Sequence, residues 1–502
     1  MYISTRGKND NFFAAEAIKA GIAGDGGLFV PMLVPKIDQE FLESLTNSDY
    51  KKRAFNILSL FLPDYSEVEL RECIEAAYTS EKFDNTQIAP LVPIGDGKFS
   101  LELWHGPTSA FKDMALQILP QLLSKALSKT KESAEIVILT ATSGDTGKAA
   151  LEGFKDVAQI KIIVFYPHGG VSPIQRMQMV TQSGENVDVI AVRGNFDDTQ
   201  TGVKNIFNNV DFNADLAAQG FQLSSANSIN WGRLAPQIVY YFSAYADMVA
   251  NGHVHMGQPV NFVVPTGNFG NILAGYYAKI MGLPIGKLIC ASNSNNVLTE
   301  FLKTGIYNRQ RSFHKTVSPS MDILISSNLE RLLYYITDGD TVQVSKWMAE
   351  LTSVGKYDVG AEYLAAIEQI FWADCVDDKE TLEMVKGIYN NYNYLADPHT
   401  AVAWQVGERY CKQTGDHTPQ IIVSTASPFK FNESVLTAIT ETNGNQGENE
   451  FKMLQQLSKL SGWPVPPALA ALEGKEILHN QVCDKEDMPA LIQKILKSSK
   501  ES

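Results

Sequence analysis

One lysine stands out by its setting. Lys112 lies in Leu103-Trp104-His105-Gly106-Pro107-Thr108-Ser109-Ala110-Phe111-Lys112-Asp113, between a turn-rich loop and an apolar run. Gly106-Pro107-Thr108-Ser109 has turn chemistry. Phe111, Met114, Ala115, Ile118 and Leu119 recur at helical spacing, which puts Lys112 on the first turn of a helix. Positive charge is disfavoured there by the helix dipole, so the amine is expected to have a lowered pKa. A neutral amine is the form that condenses with an aldehyde. By itself such a lysine reads as a solvated surface residue. Its company argues for chemistry.

Four other stretches make up that company. Thr140-Ala141-Thr142-Ser143-Gly144-Asp145-Thr146-Gly147 joins an apolar strand to a helix start, an anion-binding arrangement or an ordinary cap by Ser143 or Thr146. Thr266-Gly267-Asn268-Phe269-Gly270-Asn271 also follows a strand and precedes a helix, and its glycines allow close backbone approach to a phosphate. Gly194-Asn195-Phe196-Asp197-Asp198 looks like a copy of it, but its two aspartates at a helix start would repel a phosphate. The phosphate is therefore expected at Gly267 to Asn271. Ser225 to Arg233 is a polar loop ending in an arginine suited to bidentate contact with phosphate or carboxylate. Ser424-Thr425-Ala426-Ser427-Pro428-Phe429-Lys430 sits just past a strand, where open parallel sheets bind ligands, and a hydroxyl there can bond a ring nitrogen. Both of these last two read alternatively as plain strand-to-helix connections.

The elements that must position these loops alternate along the chain. Ile136 to Leu139, Ile160 to Phe165 and Val187 to Val192 are short apolar runs, with helical patterns at Lys148 to Phe154 and Pro173 to Thr181 between them. Val260 to Val264, Leu288 to Ala291 and Gln420 to Ser424 read as strands of a second unit, with helices at Ala235 to Ala250 and Asn271 to Met281. Such alternation is the signature of parallel sheets with crossover helices. The expected organisation is an N-terminal unit over 1–95, a smaller α/β domain over 96–219 and a larger one over 220–445 carrying a helical insertion at about 320–395. A C-terminal helical tail over 446–502 follows. The N-terminal unit shows helices at Lys51 to Leu62 and Ser66 to Tyr78 and no catalytic set. Packing, and cover for a site mouth, is its expected role.

The chain has 502 residues and a formal charge of −14, from 42 basic and 56 acidic side chains, which argues against a nucleic-acid surface. Five scattered cysteines without CxxC spacing fit a reduced, cytoplasmic setting. His253-Val254-His255 lacks a third ligand nearby, so no metal is expected. The polar start, Met1 to Asp10, carries no secretory signal, and no apolar run approaches the ~20 residues a membrane span needs.

Taken in order, several motifs resemble threonine synthase, a pyridoxal-phosphate (PLP) enzyme of the tryptophan-synthase-β fold type, in its longer bacterial and fungal subgroup. They are Ser4-Thr5-Arg6-Gly7, Asp25-Gly26-Gly27-Leu28-Phe29, His105-Gly106-Pro107-Thr108, Phe111-Lys112-Asp113, Ser143-Gly144-Asp145-Thr146-Gly147, Asn227-Ser228-Ile229-Asn230 and Gly267-Asn268-Phe269-Gly270-Asn271. The resemblance implies an α/β fold of two open, mostly parallel twisted sheets with helices on both faces (PLP fold type II). It implies Lys112 as the Schiff-base lysine and Gly267, Asn268, Phe269, Gly270 and Asn271 as the cofactor-phosphate loop. Thr425 becomes the hydroxyl partner of the pyridine nitrogen. Ser143, Asp145 and Thr146 fall in the loop holding substrate carboxylate or phosphate, and Asn227, Ser228 and Arg233 match positions that hold the substrate phosphate. Ser427 stands where many relatives have a histidine, and Asp145 where many fold relatives have an asparagine facing the cofactor's 3′-oxygen.

The reaction so implied converts O-phospho-L-homoserine and water to L-threonine and phosphate. The expected partner is this small-molecule substrate, with no nucleic acid and no membrane, on a monomer or homodimer. Three alternatives stand beside it. One is a threonine-synthase-like phospho-lyase that releases phosphate and ammonia from another phosphorylated amino compound. The others are a non-catalytic PLP-binding protein and a nucleotide-binding α/β protein.

Overall fold

The computed structural model describes residues 1–7, 11–142, 144–440 and 449–501. Ser143 lies outside these residues, so its expected place in the substrate loop has no structural counterpart here. Two open sheets dominate. The smaller has five parallel strands, in the order Gln481–Cys483, Val187–Val192, Ile160–Pro167, Glu135–Ala141 and Phe221–Ser224. The larger has six, in the order Phe371–Cys375, Ile285–Ser292, Val260–Pro265, Gln420–Ser424, Lys98–Glu102 and Leu91–Gly95. Its strands run parallel except for Leu91–Gly95, which turns back on Lys98–Glu102. This is the expected α/β class, and the reason is plain in the strands. Ile160–Pro167 and Val260–Pro265 are buried along their whole length, as strands covered by helices on both faces must be.

Sheet membership does not follow the boundaries expected from the sequence. Lys98–Glu102, expected in the smaller domain, pairs with Gln420–Ser424 in the larger sheet. Phe221–Ser224, expected in the larger domain, is the edge of the smaller sheet beside Glu135–Ala141. The expected helical insertion holds Phe371–Cys375, the far edge of the larger sheet, and the expected helical tail holds Gln481–Cys483. Short edge strands carry weak patterns of their own. Pairing with a neighbour distant in sequence makes them strands.

The N-terminal unit is mostly helical, with one two-stranded sheet, Tyr2–Ser4 against Phe29–Pro31. It braces the long Trp231–Ala250 helix, whose first residue stacks among Tyr2, Phe61 and Tyr277 at ring distances of 5.2–5.5 Å. Arg53 adds a 2.7 Å bond to Asp247 on the same helix. Packing is thus what this unit does for the helix that carries Arg233. Among the described residues, no helix is long and apolar enough to cross a membrane.

Candidate active site

The loop before Lys112 is folded by its own sequence. Asp113 turns back and accepts from Thr108 twice, from its N–H at 2.8 Å and from its hydroxyl at 2.7 Å. The turn needs glycine at 106, because a Cβ there would lie 2.5 Å from the Asp113 side chain. Burial raises the Asp113 carboxyl to about 6, against the opposing pull of the Thr108 bonds.

The loop is then sewn to the end of the strand Gln420–Ser424. Leu103 N–H donates to the Ser424 carbonyl, Phe111 N–H to that of Thr425, and Ser427 N–H to that of Ser109. The Trp104 indole donates to the Ser424 hydroxyl at 3.0 Å, and Thr400 takes up the same oxygen. Ser424 is therefore spent on structure, and Thr425, 6% exposed, is the hydroxyl of the pair left for a ligand. Ser427 caps the short turn that follows by accepting from Phe429 N–H.

Lys112 does not sit inside a long helix start. It precedes a helix of only four residues, Asp113–Leu116, whose dipole is small. Its pKa is nonetheless lowered to about 8, chiefly by burial. Asp145 opposes that shift, and the charges of Lys430 and Arg233 reinforce it. The expected direction holds, for a different physical reason. The charges of Asp145, Arg233 and Lys430 thus all act on the Lys112 amine.

Asp145 begins the helix Asp145–Phe154, and of the two caps named in the alternative reading Thr146 does not serve and Ser143 lies outside the described residues. Thr142 takes that part, its hydroxyl accepting from the N–H groups of Gly144 and Gly147. The Asp145 carboxylate is taken up by three donors: Lys430 at 2.7 Å, Gln175 at 3.0 Å and Ser320 at 3.1 Å. Burial would raise it, but Lys430 and Lys112 outweigh that and hold it well below the usual carboxylate range. Lys430 also donates to the Thr108 carbonyl at 2.9 Å. Thr146 is half-buried on the first turn of the helix.

Sequence reasoning assigned no role to Lys430, Gln175 or Ser320. Lys430 lay within a quoted motif, and its position after a strand end was the one available signal. Ser320 is held in turn by the buried His399, which accepts its N–H at 3.1 Å and is tied on its other nitrogen to Asp397 at 2.6 Å.

The Gly267–Asn271 turn leads into the helix Gly270–Met281. Phe269 adopts φ 63°, a left-handed conformation that costs a non-glycine residue roughly 1–2 kcal/mol. That conformation starts the helix Gly270–Met281, and Phe269 is buried against Phe371. Among the described residues, no group accepts from the N–H groups of Asn268, Phe269 or Gly270. Gly267 is required by close approach, since a Cβ there would lie 2.8 Å from the Ser320 carbonyl oxygen. Asn271 accepts from the hydroxyls of Tyr240 at 2.7 Å and Tyr241 at 2.9 Å, while its Nδ2 is buried without a partner. Asn268 is exposed.

In the third loop, Asn227 and Ser228 are half-buried, and Ser228 accepts from Asn328 at 3.1 Å. Arg233 is buried one turn into its helix and donates to the Ala226 carbonyl, while its Nε has no partner. Burial lowers its guanidinium to about 10. A buried donor without a partner costs about 1–3 kcal/mol. The orphaned Nε of Arg233 and Nδ2 of Asn271 fit a ligand bearing anionic oxygens, and the lowered Lys112 amine fits an aldehyde. The residues present therefore suit a phosphorylated aldehyde such as PLP.

Comparison with known proteins bears on the same assignment. The family model of the threonine synthase N terminus matches residues 1–78. That of pyridoxal-phosphate dependent enzymes matches 99–426, and that of the threonine synthase C-terminal region 400–491. Threonine synthase-like 1 of Homo sapiens is 43% identical over 449 residues, 86% of this chain and 60% of that protein. Threonine synthase of Schizosaccharomyces pombe is 39% identical over 468 residues, 88% of this chain and 89% of that one. The crystal structure of PLP-bound threonine synthase from Brucella melitensis superposes with a TM-score of 0.86, at 35% identity over 98% of this chain and 99% of that one. The chain thus spans under two thirds of the length of the human relative and nearly the whole length of the fungal and bacterial ones. Across both sheets and the loops between them, it belongs to the threonine synthase family of pyridoxal-phosphate dependent enzymes.

Proposed function

We propose that this chain is a threonine synthase, converting O-phospho-L-homoserine and water to L-threonine and phosphate. The observation that carries the reading is the setting of Lys112: a half-buried lysine whose desolvated amine is lowered to about 8 and feels the charges of Asp145, Lys430 and Arg233. Lys112 would hold the cofactor covalently through Nζ. Gly267 to Asn271 would bind its phosphate through free N–H groups at a helix start, and Thr425 would meet its ring nitrogen. Bound there, PLP supplies an electron sink for carbanions next to the substrate amine.

The protein's own work is positioning and proton transfer. Lys112, with a pKa near working pH, takes a proton from substrate Cα and returns one along the chain. Arg233, Asn227 and Ser228 bind the substrate phosphate, and Arg233 stabilises charge as it leaves. Asp145 keeps Lys430 fixed by a 2.7 Å bond, and Thr146 lies on the first turn of the same helix. Thr425, a hydroxyl rather than a carboxylate, leaves the ring nitrogen largely unprotonated and restrains side reactions such as transamination. A cytoplasmic setting and a monomer or homodimer belong to the same proposal, on the acidic charge and scattered cysteines of the sequence.

A second reading, the phospho-lyase, stays beside it because threonine synthase-like 1 of Homo sapiens, a protein named apart from the synthases, is 43% identical to this chain against 39% for the Schizosaccharomyces pombe synthase. Incubation with phosphohomoserine separates the two. Threonine and phosphate in equal amounts support the synthase; keto acid and ammonia support the lyase. Borohydride reduction followed by peptide mapping should place the cofactor on Lys112, and its appearance on any other lysine refutes the site.

A further inference from the structure

The segment Ser326 to Arg331 touches both phosphate-facing loops. Ser326 donates from its hydroxyl to the Gly267 carbonyl at 2.9 Å, and Asn328 N–H donates to the Asn268 carbonyl at 3.2 Å. The Asn328 side chain, fully buried, donates from Nδ2 to the Ser228 hydroxyl at 3.1 Å. Its Oδ1 accepts from Arg331, which also donates to the carbonyls of Ile229 at 2.6 Å and Phe29 at 2.9 Å. A Cβ on Gly270 would lie 3.3 Å from Asn328 Nδ2, so the amide rests against the first residue of the helix Gly270–Met281. One side chain thus joins the cofactor loop, the Ser225 to Arg233 loop and, through Arg331, the N-terminal unit.

The proton inventory gives this junction a consequence. Arg331 has only donors, so the Asn328 amide must turn its oxygen to Arg331 and its NH₂ to Ser228. Ser228 then uses a lone pair on Asn328, and its own O–H is released to donate elsewhere. We propose that Asn328 is a positioning residue that orients the Ser228 hydroxyl as a donor toward the phosphate of an anionic substrate. This inference rests on the reading of Ser228 as a substrate-phosphate ligand. Asparagine is what the position demands, because aspartate would accept the Ser228 proton and leave only lone pairs facing the anion. Aspartate would still satisfy Arg331 and give its buried charge a partner, so the fold is retained.

The test is Asn328→Asp, with inorganic phosphate and phosphohomoserine as probes. The KM for phosphohomoserine should rise roughly tenfold, the share of one hydrogen bond to a charged group, with kcat within about twofold. Inorganic phosphate, titrated calorimetrically against the holoenzyme, should weaken by a similar factor, while cofactor retention and the thermal midpoint hold. Ser228→Ala should give the same loss alone and add nothing to Asn328→Asp. Should Asn328→Asp fail to fold, a tenfold loss in Ser228→Ala together with rescue in Asn328→Ser, a small donor, sustains the proposal. Unchanged phosphate affinity in folded Asn328→Asp, or additive losses in the double variant, overturns it. The phosphate titration needs no turnover. A chain that makes no threonine yet loses phosphate affinity at Asn328→Asp refutes the proposed reaction and keeps this inference.

Discussion

Ser320 links two helix starts that are built in opposite ways, donating to Asp145 at one and lying against Gly267 at the other. At Asp145–Phe154 the chain supplies its own anion: the leading residue is a carboxylate bonded by Lys430, Gln175 and Ser320, and Thr142 takes the Gly147 N–H of the first turn. At Gly270–Met281 there is no acid in the first turn, and Asn271 Nδ2 is left without a partner. A third start, Phe196–Asn208, shows the ordinary case. Asn195 and Asp198 cap each other in a closed box, and Lys485 pairs with Asp198. A helix dipole alone therefore does not make an anion site. What matters is whether the chain has already placed its own carboxylate at that end.

Four variants break or sharpen this contrast. Lys112→Ala has the largest effect. It removes the amine that feels the Asp145 charge, and turnover should fall at least about a thousandfold, in the range for a lost acid–base group. Steady-state rates and the loss of borohydride-trapped cofactor check it. Asn271→Asp comes next, since it makes the open start resemble the closed one. The tyrosine bonds to its oxygen persist, but the new charge faces the phosphate, and cofactor affinity should fall roughly 10- to 100-fold by equilibrium dialysis.

Asp145→Asn tests the electrostatics. Lys112 loads cofactor as a neutral amine, so the loading rate of apoenzyme should rise with pH through about 8. Asp145 raises the Lys112 pKa, so its removal shifts that rise to lower pH. An unmoved profile breaks the proposed coupling. Asn195→Ala is the smallest. It should cost about 1 kcal/mol of stability as a lost cap and leave cofactor affinity and rates unchanged.

How much of this was legible in the sequence depends on range. The runs of Ile136 to Leu139, Val187 to Val192 and Gln420 to Ser424 announced their strands because their own residues are buried on both sides. The loops around Lys112, Gly267 and Arg233 were legible because strand, turn and helix start are local patterns. Lys430 was not, because its partners Asp145 and Thr108 are set by how the two sheets meet. Asn328 and Ser320 sat in a stretch read as a helical insertion, and nothing in their neighbours' spacing points to Ser228 or Asp145. Phe371–Cys375 follows directly on the helix Gly360–Ile370, so its short run was absorbed into a helical reading.

The pairing of Lys98–Glu102 with Gln420–Ser424 has a consequence for the birth of the protein. A nascent chain carries Lys112 early but cannot seat it until the ribosome has delivered some three hundred further residues, on the order of tens of seconds of translation. Until then the Leu103 to Phe111 loop lacks the partner strand that fixes it. With Lys112 in its proposed role, chains cut short of Lys430 should emerge colourless, which the absorbance of such truncations checks.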